Sequence, residues 1–434
     1  MSKLALFGGT PLRTTPFTSY NPIGEEEKAR VAGVLDSGLL SGFIAEPGEH
    51  FLGGPEVREL EELTCEMMGA RFAVTMNSAT SALYAAVGAA GLGPGDEMIV
   101  TPYTMSASAT AALAWGAIPV FADIDPETFC LDPAAVEALV SERTRAIMAV
   151  DLFGHPADFA ALKRIAAQHD LILIEDAAQA PMASLDGKQA ATLGDIGILS
   201  LNRHKHIHCG EGGIALTDDP ALARRLQLIR NHGEVVVEPG ENLASMIGQN
   251  YRMTEVHAAI AIEQMKKLPG LVARRQTQAD EISRALDGHP LLTPPVVRDG
   301  VTHAYYVYAT RLRRRENPQV SRDVLARALS AEGLPATAGY VTPLYELPLY
   351  QQRIGMGSGK GDQGWPFSLA PHVDYAACAC PVVERLETQE LCLLGNVHGA
   401  LSDTEMADTL AILEKVGAGA DQLHGVTATD LPGS

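Results

Sequence analysis

The chain has few features of a membrane, secreted or nucleic-acid-binding protein. Its 434 residues contain no apolar run near the ~20 residues that a membrane helix needs. The first nine residues, MSKLALFGG, lack the apolar stretch of a secretory signal. Six cysteines in so long a chain do not build a disulfide scaffold, so we expect reduced thiols and a cytoplasmic location. Lysine and arginine total 33 against 53 acidic residues, and the formal charge of −20 disfavours a nucleic-acid partner.

Several common catalytic motifs are also missing. The pair Gly359-Lys360 lacks the rest of a phosphate-binding P-loop, because Ile354 stands where the motif begins with Gly and no Ser or Thr follows the lysine. No Gly-x-Gly-x-x-Gly follows an early strand, which argues against a dinucleotide-binding fold. No Gly-x-Ser-x-Gly turn of a hydrolase is apparent.

Alternating helical and strand patterns fill the chain from about residue 24 to about residue 230. Short apolar runs typical of buried strands are separated by helical segments, which predicts an α/β fold with a mostly parallel sheet. In such sheets, ligands bind at the carboxyl ends of the strands. The predicted strands are Phe72–Met76, Glu97–Val100, Ile118–Ala122, Ala146–Leu152, Leu171–Ile174, Ile196–Leu201 and Ile214–Thr217.

The pattern changes near residue 270. Pro269-Gly270 separates the predicted helices Thr254–Leu268 and Leu271–Leu286, and a smaller α/β segment follows. We therefore predict an N-terminal arm at residues 1–23, a large domain at 24–270, a small C-terminal domain at 271–416 and a flexible tail at 417–434. The glycine-rich segment Gly355–Gly364 is predicted to be a flexible loop.

Asp176 and Lys205 are the most informative pair in the sequence. Asp176 follows the predicted strand Leu171–Ile174, and Lys205 comes 29 residues later, before Gly210-Glu-Gly-Gly213. Alone, such an acid is often a helix cap and a lysine is usually a solvated surface charge. Together they indicate a pyridoxal phosphate site, in which the acid keeps the pyridine nitrogen protonated and the lysine carries the aldehyde as a Schiff base. Burial would lower the pKa of the lysine, as exchange of that bond requires.

Two polar groups near this pair are further candidates. Gln179 is expected to hydrogen-bond the phenolic oxygen of the cofactor, although it also fits an amide on a helix surface. The segment Asn77–Ser81 precedes an alanine-rich helix, and amides and hydroxyls at a helix N-terminus suit a phosphate group. A simple Ser or Thr cap would leave the same pattern.

Histidines surround the lysine at alternate positions. His204, His206 and His208 would share one face of a strand, and with Cys209 they could bind zinc. Neither an HExxH motif nor a paired CxxC supports that hypothesis, and the lysine in their midst has its own predicted role. We therefore predict no metal site.

Taken in order, the motifs of the chain resemble those of the DegT/DnrJ/StrS-type sugar aminotransferases, a branch of the fold-type-I pyridoxal phosphate enzymes. The resemblance runs from about Leu6 to about Val416, and the combination of motifs is far more specific than any one of them. The motifs that carry it are Phe7-Gly-Gly-x-Pro-Leu-Arg13, Thr101-Pro-Tyr-Thr104, Pro119-Val-Phe-x-Asp-Ile-Asp125, Glu175-Asp-Ala-Ala-Gln179, Lys205 with Gly210-Glu-Gly-Gly213, Arg230-Asn-His-Gly233 and Asn250-Tyr-Arg-Met-Thr254.

The resemblance implies an aspartate-aminotransferase-like fold and assigns roles to individual residues. Lys205 matches the Schiff-base lysine, Asp176 the acid at the pyridine nitrogen and Gln179 the partner of the phenolic oxygen. The phosphate cradle falls on Ala79, Thr80 and Ser200. Asn250 matches an asparagine that reaches the phosphate of the neighbouring subunit, so a homodimer with shared active sites is implied.

The resemblance also implies substrates. Relatives aminate keto sugars, usually nucleotide-linked, or keto cyclitols, with glutamate or glutamine as amino donor, in the biosynthesis of amino sugars, aminoglycosides and other secondary metabolites. His232 and Tyr340 are our candidates for contacts to the substrate, although each fits a packing role as well.

Two positions distinguish this chain within the family. Met105 stands where relatives often have a Phe or Trp stacked on the pyridine ring, and we expect a thioether contact there instead. The dehydratase branch replaces the lysine with histidine, so Lys205 favours transamination. A sugar dehydratase of the same fold and a catalytically idle regulator are the alternatives.

Overall fold

The computed structural model describes residues 3–44, 48–236, 242–356, 359, 361, 364–427 and 429. The helices are α1 (Glu25–Ser37), α2 (Pro55–Met68), α3 (Ala79–Ala89), α4 (Ser106–Ala114), α5 (Pro133–Leu139), α6 (Phe159–His169), α7 (Pro220–Arg230), α8 (Glu255–Ala285), α9 (Arg322–Ala331), α10 (Pro348–Gln351), α11 (Pro381–Arg385) and α12 (Asp403–Ala418). Within these residues, none of the helices combines the length and the apolar character that crossing a membrane requires.

The strands fall into one large sheet and several small ones. They are β1 (Phe72–Met76), β2 (Glu97–Val100), β3 (Ile118–Phe121), β4 (Thr144–Val150), β5 (Ile172–Asp176), β6 (Ser184–Leu185), β7 (Lys188–Gln189), β8 (Ile196–Ser200), β9 (Gly213–Thr217), β10 (Glu234–Val236), β11 (Asn242–Ala244), β12 (Leu292–Thr293), β13 (Val301–Thr302), β14 (Tyr308–Leu312), β15 (Ala336–Ala338) and β16 (Leu391–Leu394).

The large sheet has seven strands in the order β1-β9-β8-β5-β4-β2-β3. Neighbours pair in parallel except at β9, which runs antiparallel to both β1 and β8. The prediction of a mostly parallel α/β sheet is therefore confirmed. Every residue of β2, β8 and β9 is buried, because helices cover both faces of the sheet.

The carboxyl ends of the strands bring distant residues to one edge of this sheet. Asp176 is the last residue of β5 and Ser200 the last residue of β8. Because β1 also ends at this edge, α3 begins there at Ala79, where the Ser78 side chain accepts a hydrogen bond from the Ser81 amide. The strand order therefore places the N-terminus of α3 at the same edge of the sheet as Asp176 and the loop that follows Ser200.

The predicted break at Pro269-Gly270 is wrong, because α8 continues without interruption from Glu255 to Ala285. Proline removes one backbone hydrogen bond from a helix. Leu268 and Leu271, on either side of the pair, are both buried in the core beneath the large sheet. This packing outweighs the low helix propensity of proline and glycine, so one continuous helix spans both predicted domains.

A second core lies around the antiparallel sheet β12-β14-β16-β15. The far end of α8 packs there with α9 and α12. Leu4 and Leu423, near the two ends of the described chain, are both fully buried in the same core.

The expected frayed tail from residue 417 onward therefore needs correction. Helix α12 extends to Ala418, and the 3-10 turn Ala420–Leu423 belongs to the small folded unit because Leu423 fills its core. Residues 428 and 430–434 lie outside the described residues, as do Met1 and Ser2 of the predicted arm and residues 357, 358, 360, 362 and 363 of the predicted glycine-rich loop.

Candidate active site

A cavity of about 340 Å³ opens at the carboxyl edge of the large sheet. It collects residues from seven separate stretches of the chain. Most of the residues predicted from the sequence line it together, namely Ala79, Thr80, Met105, Asp176, Gln179, Ser200, Lys205 and Tyr340.

Asp176 lines this cavity and is only 5% exposed. Its Oδ2 accepts a hydrogen bond of 2.7 Å from the Ser108 hydroxyl, and its Oδ1 accepts one of 3.1 Å from the Ala178 amide. Burial raises the pKa of the Asp176 carboxyl, while both hydrogen bonds and the charge of Lys205 act in the opposite direction. The carboxylate is therefore fixed in orientation and available to a positively charged group in the cavity.

Lys205 faces the same cavity from the loop after β8. Its backbone amide donates a hydrogen bond of 2.9 Å to the Asn202 carbonyl, which shapes a tight turn. Burial lowers the pKa of the Lys205 amine to about 8, against the opposing charge of Asp176. An amine with this pKa exists in both protonation states near neutral pH, as a nucleophile and proton carrier must.

Gln179 is held by hydrogen bonds at both ends of its amide. Its Oε1 accepts a hydrogen bond of 2.8 Å from the Phe153 backbone amide, and its Nε2 donates one of 3.1 Å to the Tyr340 hydroxyl. The Tyr340 amide in turn donates 2.7 Å to Oε2 of Glu387. The side chains of Gln179 and Tyr340 are thus oriented before any ligand binds.

The N-terminus of α3 forms another wall of the cavity. The amides of Ala79 and Thr80 belong to the first helical turn, which has no acceptor within the helix. Gly213 passes so close that a Cβ atom there would lie 2.5 Å from the Ala79 nitrogen. A glycine is required at this point because any side chain would collide with the helix terminus.

The histidines beside Lys205 do not converge. His204 lines the cavity, whereas His206 is fully buried with its Nε2 2.8 Å from the Ala304 carbonyl oxygen. Burial lowers the pKa of His206 well below its usual value and also lowers that of His208. Across the part of the chain that the structure describes, no group of three His, Cys, Asp or Glu side chains could hold a metal ion.

Three predicted residues differ in their relation to the cavity. Met105 lines it but is 63% exposed. His232 and Asn250 lie outside its lining, where His232 Nε2 is 3.3 Å from Arg252 Nη2 and Asn250 Oδ1 accepts 3.0 Å from Arg252 Nε. Neither residue lines the cavity, so the predicted contacts of Asn250 to the cofactor and of His232 to the substrate stay predictions.

Sequence reasoning did not single out Ser108 and Tyr306, which also line the cavity. Ser108 comes four residues after Thr104, near the start of α4, and its closeness in sequence to the Thr101-Pro-Tyr-Thr104 motif was a usable signal. Tyr306 places its ring 4.4 Å from the Lys205 Nζ, measured to the ring centroid. No local pattern marks Tyr306, because it comes from a distant segment.

Known proteins resemble this chain along most of its length. Residues 23–388 match the model of the DegT/DnrJ/EryC1/StrS aminotransferase family. An L-glutamine:2-deoxy-scyllo-inosose aminotransferase of Streptomyces kanamyceticus is 33% identical over 431 residues, which cover 96% of this chain and 97% of the relative. The spore coat polysaccharide biosynthesis protein SpsC of Bacillus subtilis is 33% identical over 343 residues, or 77% of this chain and 85% of the relative.

Solved structures extend the likeness to the fold. The aminotransferase of Psychrobacter cryohalolentis superposes with a TM-score of 0.81 at 28% identity, covering 93% of this chain and 99% of the other. The expected fold type I architecture is therefore confirmed. With the family match spanning most of its length, the chain belongs to the DegT/DnrJ/EryC1/StrS aminotransferase family.

Proposed function

We propose that this enzyme transfers an amino group from glutamine to a keto cyclitol with the aid of pyridoxal phosphate. The observation that carries the proposal is the convergence of Asp176 and Lys205 on one cavity at the carboxyl edge of the sheet. The donor and the acceptor class are supported by the Streptomyces kanamyceticus relative and by an L-glutamine:scyllo-inosose aminotransferase of Streptomyces griseus, which is 35% identical over 357 residues.

The residues present fit pyridoxal phosphate. The buried carboxylate of Asp176 suits a protonated ring nitrogen, and the amine of Lys205 suits the aldehyde. Ala79, Thr80 and Ser200 line the cavity, and the amides in the first turn of α3 lack acceptors within the helix and suit a phosphate. Gln179 and Met105 complete the set expected to contact the ring. When bound, the cofactor supplies an electron sink that stabilises negative charge on the carbon being deprotonated.

The chain itself handles the protons of the reaction. Lys205 Nζ accepts the proton from Cα of the amino donor and later returns one, acting first as base and then as acid. A pKa of about 8 suits both directions near neutral pH. Asp176 keeps its orientation throughout because Ser108 and the Ala178 amide hold both carboxylate oxygens.

The charge of the cavity supports an acceptor without a nucleotide. Among the described residues that line it, Lys205 is the one lysine or arginine, whereas Asp176 and Glu211 are acidic. A diphosphate group requires several compensating cations, but a hydroxylated ring requires mainly hydrogen-bonding partners. Asn202, Glu211 and the Tyr340 hydroxyl offer such partners.

We also propose that the enzyme works as a homodimer in the cytoplasm. Asn250 and His232 lie outside their own cavity and are available to a neighbouring subunit. Nearby, Ile247 is 70% exposed beside Trp115 and Trp365, at an apolar depression of about 550 Å³. All six cysteines are free thiols, as expected in a reducing compartment.

The dimer proposal has a direct test. Mixing an inactive Lys205→Ala subunit with an inactive Asn250→Ala subunit should restore part of the activity if each site draws Asn250 from the partner. Native mass spectrometry establishes the subunit number beforehand, and a purely monomeric mass would refute the arrangement.

The catalytic proposal is tested with Lys205→Ala. The variant should lose the visible absorption band of the lysine-bound cofactor and all multiple turnover. Stoichiometric release of the keto acid from glutamine separates transamination from a dehydratase activity, which does not consume the donor. A panel of a keto cyclitol, a nucleotide-linked keto sugar and glutamate as alternative donor then identifies the substrates. Turnover by Lys205→Ala would end the proposal.

A further inference from the structure

Tyr306 is the aromatic side chain that contacts the predicted catalytic amine. The Nζ of Lys205 lies 4.4 Å from the centroid of the Tyr306 ring, over its face. Both side chains line the same cavity. Burial raises the pKa of the Tyr306 hydroxyl, so the ring is a neutral phenol at working pH. An ammonium over such a face is attracted by the negative side of the ring quadrupole.

The backbone of Tyr306 is held from two directions. Its amide donates a hydrogen bond of 2.8 Å to the Phe153 carbonyl, and the Phe153 amide binds Gln179. Its carbonyl accepts a hydrogen bond of 3.3 Å from Arg275 Nη1, which also donates one of 3.1 Å to the Tyr305 carbonyl. Arg275 is only 4% exposed. The position of the ring is therefore imposed by well-packed surroundings.

The peptide that follows Lys205 is anchored to the same arginine. The Tyr20 hydroxyl donates a hydrogen bond to the His206 carbonyl, and the Arg275 guanidinium lies 5.1 Å from the centroid of the Tyr20 ring. Arg275 thus connects the backbone on both sides of the contact between Lys205 and Tyr306. The contacts of Arg275 and Tyr20 thereby set the distance between the Lys205 amine and the Tyr306 ring.

We infer that Tyr306 is a positioning residue that holds the amine of Lys205 against its ring face and shields it from water. The inference rests on the proposed role of Lys205 and assigns Tyr306 an effect that acts through that lysine. The attraction of the ring favours the protonated amine, and the exclusion of water disfavours it. Burial is the largest influence on the pKa of Lys205, ahead of the charge of Asp176, and the Tyr306 ring covers the amine. Removal of the ring should therefore raise that pKa toward the ordinary lysine value of 10.5.

The first test uses cofactor-free protein. Competitive labelling with acetic anhydride over a range of pH, read by mass spectrometry of the Lys205 peptide, gives the pKa of this one amine. We expect a midpoint near 8 for the wild type and for Tyr306→Phe, which keeps the ring. Tyr306→Leu should titrate higher, and a tenfold fall in acidity would reduce labelling at pH 8 about fivefold. A reduced labelling of Lys205 at pH 8 in Tyr306→Phe would assign the effect to the Tyr306 hydroxyl and overturn the inference.

The second test follows the donor half-reaction of the loaded enzyme with glutamine. Tyr306→Leu should slow the single-turnover rate about tenfold while the KM for glutamine stays unchanged, because the ring acts on the proton carrier and not on the donor. Tyr308→Phe is the matched control: it removes a 2.7 Å hydrogen bond to Ser283, and Tyr308 is absent from the cavity lining. It should leave both measurements unchanged.

The outcomes distinguish this inference from the proposed function. If Lys205→Ala is inactive and Tyr306→Leu matches the wild type in both tests, only the role of Tyr306 is refuted. If Lys205→Ala turns over, the proposed function fails as well. Circular dichroism and thermal melting check the fold of Tyr306→Leu, and Tyr306→Met, which retains bulk without a ring, replaces it should the leucine variant unfold.

Discussion

The Ser108 hydroxyl donates a 2.7 Å hydrogen bond to Oδ2 of Asp176, joining the first turns of α4 to the end of β5. Both residues are buried, so the bond forms away from water. Such a bond stabilises the ionised carboxylate more than the neutral acid. It therefore opposes the effect of burial on Asp176 and favours the charged form of the carboxyl.

Replacing Ser108 with Ala should change the pH dependence of the enzyme. Because the hydrogen bond lowers the pKa of Asp176, its loss raises that pKa further. The fall of kcat/KM at acidic pH should then begin at higher pH, and the maximal value should drop about tenfold, as loss of one charged hydrogen bond predicts. Ser108→Thr retains a hydroxyl and serves as the control. An unchanged acidic limb in Ser108→Ala would contradict this account.

Cofactor-free enzyme should take up added pyridoxal phosphate faster as the pH rises through about 8. The amine of Lys205 attacks only when it is neutral, and burial lowers its pKa to about 8. The uptake rate should therefore increase from pH 6.5 to pH 8 and level off above pH 9. Stopped-flow absorbance measures the rate. A profile still rising steeply at pH 10 would mean that Lys205 titrates like an ordinary surface lysine.

The neighbouring acids Glu175 and Asp176 should respond to substitution in opposite ways. Glu175 is fully buried and accepts amide hydrogen bonds of 2.6, 2.7 and 3.0 Å from Ala191, Leu193 and Gly194. Glu175→Gln leaves amides unsatisfied and should lower the free energy of unfolding by about 2 kcal/mol. Asp176→Asn should melt near the wild-type temperature and lose about 10³-fold in kcat. Denaturant titrations and steady-state kinetics on both variants test the contrast.

Chelation should leave the activity unchanged. His206 is buried against the Ala304 carbonyl while His204 faces the cavity, so the histidine tract does not assemble a ligand set. Dialysis against EDTA followed by assay and metal analysis checks the prediction. Loss of activity that zinc alone restores would revive the metal hypothesis for this tract.

Local patterns predicted the sheet accurately and one helix poorly. The strands Phe72–Met76 and Glu97–Val100 match the structure residue for residue, because short apolar runs between helical segments have few alternatives. The break at Pro269 did not occur, since Leu268 and Leu271 are buried in the core and their packing exceeds the penalty of one lost hydrogen bond. Local sequence preference determines the secondary structure where all residues of a segment are buried alike. Tertiary packing determines it where packing and local preference conflict.

The sequence by itself determined the chemistry proposed for this protein. An acid at a strand end and a lysine before glycines are local signals, and Asp176 and Lys205 accordingly meet in one cavity. Only the tertiary structure decided which groups surround them: Ser108 at the carboxylate, Tyr306 under the amine and Tyr340 at Gln179. These partners come from segments far apart in the chain. Their contacts depend on strand order and core packing, which no short stretch of sequence encodes.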